Sequence, residues 1–203
     1  MFDGVTDEVA IAFANSTCPD AGCHFEAAGY ASLLDLLQTI GAINAVAHAR
    51  LLAYDGTDAA DEARQASLAF RDVTVAVLDA LRNREPIPES LLTRVDAELA
   101  HCHCTRTIVR DGSTFRNSMR FEIEQPHDIP APLAHSVANI LTTADASRIK
   151  QCREPRCSCY FIDTSKNRTR TWCSMQRCGN RQKVANYYRR TRDTTAIDVS
   201  KAI

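Results

Sequence analysis

Apolar residues recur at helical spacing through most of the first 147 residues. From Tyr30 to about Tyr54 the series Leu33, Leu34, Leu37, Ile40, Ile43 and Leu51 predicts helix, and Gly41 divides it into two short ones. A short apolar opening (Val9 to Asn15) precedes it, and the stretch Ser16 to Gly29, with Pro19, Gly22 and Gly29, predicts a loop. Asp55-Gly56-Thr57 breaks the pattern. A longer helix then runs from about Asp58 to Arg84, its stripe carried by Phe70, Val73, Val77 and Leu81. Pro86 and Pro88 end it and introduce another, from about Glu89 to Ala100.

The period then changes. Apolar and charged residues alternate strictly in Met119-Arg120-Phe121-Glu122-Ile123-Glu124, which predicts a half-buried strand. Thr105 to Arg110 is its expected partner across Asp111-Gly112-Ser113. After Pro126, Pro130 and Pro132 a helix is predicted from Leu133 to about Ala146. Residues 1–147 therefore read as an α+β domain, mostly helical with a small β-hairpin. Residues 148–192 read as a second module and 193–203 as a tail.

Composition changes this picture in one place. Residues 148–192 hold thirteen of the twenty-four Lys+Arg and two of the twenty-five Asp+Glu, a net of +11 that leaves −12 on the rest of the chain. An acidic body joined to a strongly basic segment predicts contact with a polyanion, double-stranded DNA being the expected partner. The longest apolar run, Val9 to Ala14, is six residues, far too short to cross a membrane. The opening residues carry acids where a secretory leader is basic, so a cytoplasmic protein is expected. In that compartment nine Cys predict metal ligands and free thiols, not disulfides.

Five of those cysteines fall in the basic module. Cys152-x4-Cys157, fifteen residues, then Cys173-x4-Cys178 gives two close pairs that suit one tetrahedral Zn²⁺ per chain. A module this small needs such a staple, because apolar burial alone does not fold it. Ser174 is a good N-cap for a helix to about Arg190, which puts Cys173 and Cys178 at the N′ and N4 positions that meet in a hydrophobic staple. Between the pairs, Tyr160-Phe161-Ile162 and Thr169 to Trp172 are expected strands around a turn at Thr164-Ser165-Lys166-Asn167. Cys159 fits no tetrahedral slot and is expected in the core. An iron–sulfur cluster is the chemical alternative, though the x4 spacings do not match the tight cluster runs.

The stretch Asp163-Thr164-Ser165-Lys166-Asn167-Arg168, then Trp172-Cys173-Ser174-Met175, then Cys178-Gly179-Asn180-Arg181-Gln182-Lys183 resembles the CGNR zinc-finger family of bacteria. Members carry an N-terminal ABATE domain, and Ala10-Ile11-Ala12-Phe13-Ala14-Asn15-Ser16 is similar to its opening, as Leu68-Ala69-Phe70-Arg71-Asp72 is to its central helix. The resemblance implies a treble-clef-like finger and a stress-associated transcription regulator. Cys159 departs from it, since an aromatic is expected there.

Helical geometry sorts the last helix. At 100° per residue, Arg177, Arg181, Val184, Tyr187 and Tyr188 share the side of Cys178. Arg181, although part of the motif, is thus expected to bond the finger's loops, while also standing among the DNA-binding candidates. Lys183, Asn186, Arg189 and Arg190 take the opposite arc as candidate DNA contacts, with Arg168 and Arg170 on the hairpin.

His101-Cys102-His103-Cys104 and the Cys18 to His24 segment together raise a second metal or redox site. His48 and His135 read as core-edge histidines. No Gly-rich phosphate loop, nucleophile elbow or paired-carboxylate motif occurs, so nothing argues for an enzyme. Three readings stand. The first is a zinc-dependent, DNA-binding transcription regulator whose first domain senses or assembles, open to a small-molecule effector bound among the helices between Tyr30 and Ala100 and to homodimerisation. The second is a non-enzymatic adaptor whose finger binds protein or RNA. The third is a ligand-binding or catalytic first domain with the finger as accessory.

Overall fold

The first domain assembles around α4 (Asp58–Asn83). Thr57 caps its start by accepting from the Ala60 N–H at 3.3 Å, and Arg84 ends it in the left-handed conformation at φ 61°. Phe70 and Val77 of its apolar stripe are buried, with Val73 and Leu81 partly so. The structure, a computed structural model, describes residues 6–18, 29–101 and 103–200, apart from the side chains of 116, 117, 190 and 192–200.

α1 (Asp7–Ala14) packs on α4 and on α6 (Pro130–Thr143). One hydroxyl fastens α1 to α6: Ser136 Oγ accepts from the Ala10 N–H at 2.9 Å and donates to the Thr6 carbonyl at 2.6 Å. α2 (Tyr30–Thr39) and α3 (Ala45–Leu52) are separated at Gly41, whose φ of 83° is open to a residue without Cβ. α5 (Glu89–Ala100) lies against α4 and α6. Phe13, Leu33, Leu37, Phe70, Leu133 and Ile140 are among the buried residues of the resulting core.

β1 (Cys104–Asp111) and β2 (Thr114–Phe121) form the expected antiparallel hairpin, with Asp111 opposite Thr114 across Gly112 and Ser113. The second strand lies earlier than its alternation predicts. The turn, with Gly112 at φ 58°, fixes the register from Thr114 onward. The alternating segment supplies only the strand's last residues and the exit, where Ile123 is buried. Towards its tip the hairpin stands out from the body, leaving Ile108 and Phe115 exposed. The helix after the prolines also starts earlier, at Pro130, because proline is well suited to a first helical turn.

β3 (Ile149–Gln151) and β4 (Tyr160–Ile162) pair antiparallel, Ile149 opposite Ile162. The partner of Tyr160–Ile162 is thus the strand before the first cysteine pair. The Thr169–Trp172 segment expected in that role forms no strand. Asp163 explains this: its carboxylate accepts from the Ser165 N–H at 2.9 Å and the Arg170 N–H at 3.0 Å, which holds 163–170 as a folded loop. Ser174 caps a wide turn at Met175–Gly179, which leads into α7 (Asn180–Ser200). α7 passes its expected end near Arg190, since neither Pro nor Gly occurs in it to stop it, so most of the expected tail is helix.

The boundary at 147/148 is not a gap in packing. Ile149 and Tyr160 are buried in the same core as the helices. Asn15, just past α1, completes the edge of β4: its Oδ1 accepts from the Tyr160 N–H at 2.7 Å and its Nδ2 donates to the Tyr160 carbonyl at 2.9 Å. A side-chain amide here takes the place of a neighbouring strand. Asn15→Ala should leave both Tyr160 backbone groups unpaired and cost about 2 kcal/mol. A thermal melt of the full chain checks this, and an unchanged midpoint would mean that water replaces the amide.

Candidate metal centre and basic helix

The four cysteines of the two pairs converge. Cys152 follows β3, and the chain turns back so that the Cys157 N–H donates to the Glu154 carbonyl at 2.9 Å. Ser174 Oγ accepts from the Arg177 N–H at 3.3 Å, and the Gly179 N–H reaches the Ser174 carbonyl at 3.0 Å, five residues back. This wide turn brings the Cys173 and Cys178 sulfurs to 3.6 Å, the meeting that the N′ and N4 positions predict. Cys157 and Cys173 are also 3.6 Å apart, and all four sulfurs lie within 4.8 Å of one another.

These distances fit a tetrahedral cation. A Zn–S bond of about 2.3 Å places sulfurs about 3.8 Å apart. Cys152, Cys157 and Cys178 are buried, so the centre is closed in the manner of a structural site. Burial pushes the thiols of Cys157, Cys173 and Cys178 up to about 12 each. Their joint ionisation therefore calls for a cation among them. Cys152 is desolvated by burial too, but the backbone N–H groups of Cys173 and Glu154 outweigh that and lower its pKa.

Several charged groups build the frame around the sulfurs. Glu154, 3 % exposed, accepts from the Arg156 N–H at 3.0 Å and from Arg181 Nη1 at 3.0 Å. Arg181 thus fastens the first turn of α7 to the loop between the first two cysteines. Asp163 is fully buried and accepts from Lys150 Nζ at 2.6 Å, and that bond and those from Ser165 hold its carboxyl well below the usual range. Arg170 lies 4.8 Å over the Phe161 ring and donates to the carbonyls of Trp172 and Cys173. At Gly179 an added Cβ would displace the exposed Met175 thioether and come within 3.2 Å of the Trp172 ring, a tight approach that favours a small residue.

The candidate DNA contacts fall into two groups. Lys183, Asn186 and Arg189 are exposed on α7, with Arg189 Nη2 donating to Asn186 Oδ1 at 2.8 Å. The Arg190 side chain lies outside the described residues. Arg168, Arg170 and Arg181 are engaged by the fold, Arg168 through Asp145 at 3.1 Å. The inward side of the helix also differs from expectation. Val184, Tyr187 and Tyr188 are exposed, Tyr187 at 67 %, because α7 leaves the body after its first turn. Arg177 is exposed as well, since the wide turn breaks the 100° phase that relates it to Cys178.

Cys18 does not meet Cys104, which is exposed on β1; it joins Cys157 and Cys159 instead. Cys23 and Cys102 lie outside the described residues. His48 bonds Asp35 at 2.8 Å and His135 meets the Phe121 ring edge-on, so both are structural. Clefts open at two places among the described residues. One, of about 940 Å³, lies between α1 and the finger and is lined by Glu8, Asn139, Cys159, Arg170 and Arg177. The other, about 980 Å³, lies between the α2–α3 corner and the hairpin, beside Arg50, Arg120 and Glu124. The second cleft draws part of its lining, from Gln38 to Arg50, from the helices between Tyr30 and Ala100 where an effector site is expected.

A family model described as "CGNR zinc finger" matches residues 148–191. The ABATE model, described as "Putative stress-induced transcription regulator", matches residues 7–144. No curated protein matches the chain.

Two outcomes follow from the frame of the metal centre. Removing the metal with a strong chelator should unfold the finger and also lower the melting temperature of the helices, because Ile149 and Tyr160 lie in their core. Hydrogen exchange with and without chelator checks this; helices with unchanged protection would mean that the two parts pack independently. Arg181→Ala should cost about 2 kcal/mol by leaving the buried Glu154 carboxylate with only the more distant Arg156 guanidinium, 3.7 Å away, read as a loss in the finger's melt.

Proposed function

The chain belongs to the ABATE family and carries a C-terminal CGNR zinc finger, and from that premise we propose that it is a non-enzymatic, zinc-dependent transcription regulator that binds double-stranded DNA. Cys152, Cys157, Cys173 and Cys178 hold one Zn²⁺, whose role is structural. It supplies folding energy that a module of this size lacks and sets the direction of α7.

One observation carries the reading. α7 leaves the finger with Lys183, Asn186 and Arg189 exposed, in a segment of net +11 joined to an acidic body. A basic helix standing free of its own domain has the shape and charge to enter a major groove. Lysine and arginine on it supply phosphate contacts, and Asn186 can read a base edge. Arg168, Arg170 and Arg181 contribute mainly by holding the finger together. The helical domain acts as sensor or assembly part, and the cleft beside Arg50 and Arg120 leaves room for a small-molecule effector.

A second reading, an adaptor that binds protein or RNA, is favoured by exposed Val184, Tyr187 and Tyr188 on the same helix. Apolar and aromatic side chains of this kind fit a protein surface or unstacked bases.

Salt-titrated binding to a random duplex library separates the two. Lys183→Ala and Arg189→Ala should each weaken duplex binding without lowering the melting temperature, and each should reduce the salt slope by about one. Arg181→Ala should lose stability first. If both exposed-site variants bind duplex DNA normally, α7 is not the reading surface and the adaptor reading takes its place. If Arg181→Ala keeps its stability and loses DNA, the motif arginine is itself a contact.

A further inference from the structure

Beside the four-cysteine centre lie two thiols that it does not use. Cys18 follows α1 and its short 3₁₀ turn, and Cys159 lies just before β4; both are buried. Their sulfurs and that of Cys157 are all within 4.8 Å of one another, and Cys18 is 3.8 Å from Cys157, close to the 3.6 Å seen between the four ligands. Six cysteines from three segments thus form two adjoining groups with Cys157 common to both. We propose that Cys18, Cys157 and Cys159 form a second metal site, next to the first, that takes monovalent copper.

The donor set selects the ion. All three donors are sulfur, and among the described residues no His, Asp or Glu joins the group. Hard cations such as Mg²⁺ and Ca²⁺ need oxygen and are excluded. Zn²⁺ in a structural site takes four ligands, whereas three are present here. Soft thiolates with no fourth donor suit Cu(I). A thiolate sulfur has lone pairs enough to bridge two metals, so Cys157 can serve both. On binding, the Cys18 and Cys159 thiols each release a proton.

The surroundings supply access. Cys159 lines the cleft between α1 and the finger, which gives an ion a way in. Arg170 and Arg177 stand in the same cleft lining as Asp7 and Glu8 and balance their charge, so the cleft adds no net negative charge to that of the sulfurs. The site also spans the two parts of the chain, since Cys18 belongs to the helical domain and the other two to the finger. Copper there would tie the segment after α1 to the base of the DNA-binding module.

The inference rests on the four-cysteine centre being loaded and not on DNA binding, so zinc and copper are measured together. The full-length zinc-loaded protein, titrated anaerobically with Cu(I) against bicinchoninate, should take up one copper per chain and keep its zinc. Cys18→Ser and Cys159→Ser should each abolish the uptake while zinc content and far-ultraviolet dichroism stay unchanged. Should a variant fold poorly, copper X-ray absorption on the unaltered protein decides, with a shell of three sulfurs expected. Copper retained by the Cys18→Ser/Cys159→Ser double variant, copper gained only as zinc is lost, a second zinc bound in preference to copper, or a shell of nitrogen and oxygen would each overturn the site.

Discussion

The convergence of four cysteine sulfurs is the constraint on which the finger depends. Strands of three residues each, β3 and β4, and a helix that leaves the body after one turn bury too little to hold a module together. The surrounding residues make sense as supports for that meeting point. Ser174 starts the wide turn that carries Cys178, Gly179 leaves room for the Trp172 ring, and Asp163 gathers the loop between β4 and Trp172. Arg181 and Glu154 then join the helix to the first cysteine pair. Each contact is polar or steric; together they replace the hydrophobic core that the segment lacks.

The finger is also fastened to the helical domain, and by three different means. Ile149 and Tyr160 enter the apolar core, Asn15 pairs with the β4 backbone, and Cys18 lies against Cys157. Two of these come from the few residues at the end of α1. That helix is in turn held by Ser136 of α6. A change in how α1 sits on the helices would therefore be felt at the base of the finger. Displacement of α1 thus has a physical route to the base of the finger, through packed side chains and not through a flexible linker.

Charge is divided along the same line. The exposed arginines and lysines of α7 face solvent, whereas Arg181, Lys150 and Arg170, near the metal centre, are held by Glu154, Asp163 and backbone carbonyls. A count of basic residues does not separate these roles. Arg170 and Arg189 are alike in sequence, yet one stacks on Phe161 and caps two carbonyls while the other stands on an open helix face.

The helices, their order and the four-cysteine set were legible from local rules. A period of 3.6 residues, a capping serine and two pairs of cysteines at matched spacing act within a few residues of themselves, so α4 and α5 and the meeting of Cys173 with Cys178 were open to reading. The pairing of β3 with β4, the burial of Cys18 beside Cys157 and the bond of Arg181 to Glu154 join residues up to 139 positions apart. No local pattern encodes such partners. Helical phase placed Val184, Tyr187 and Tyr188 on an inner face, yet all three are exposed. Whether an inner face has anything to pack against is a property of the whole fold: α7 runs clear of the body, and tertiary structure alone turned a core stripe into a surface.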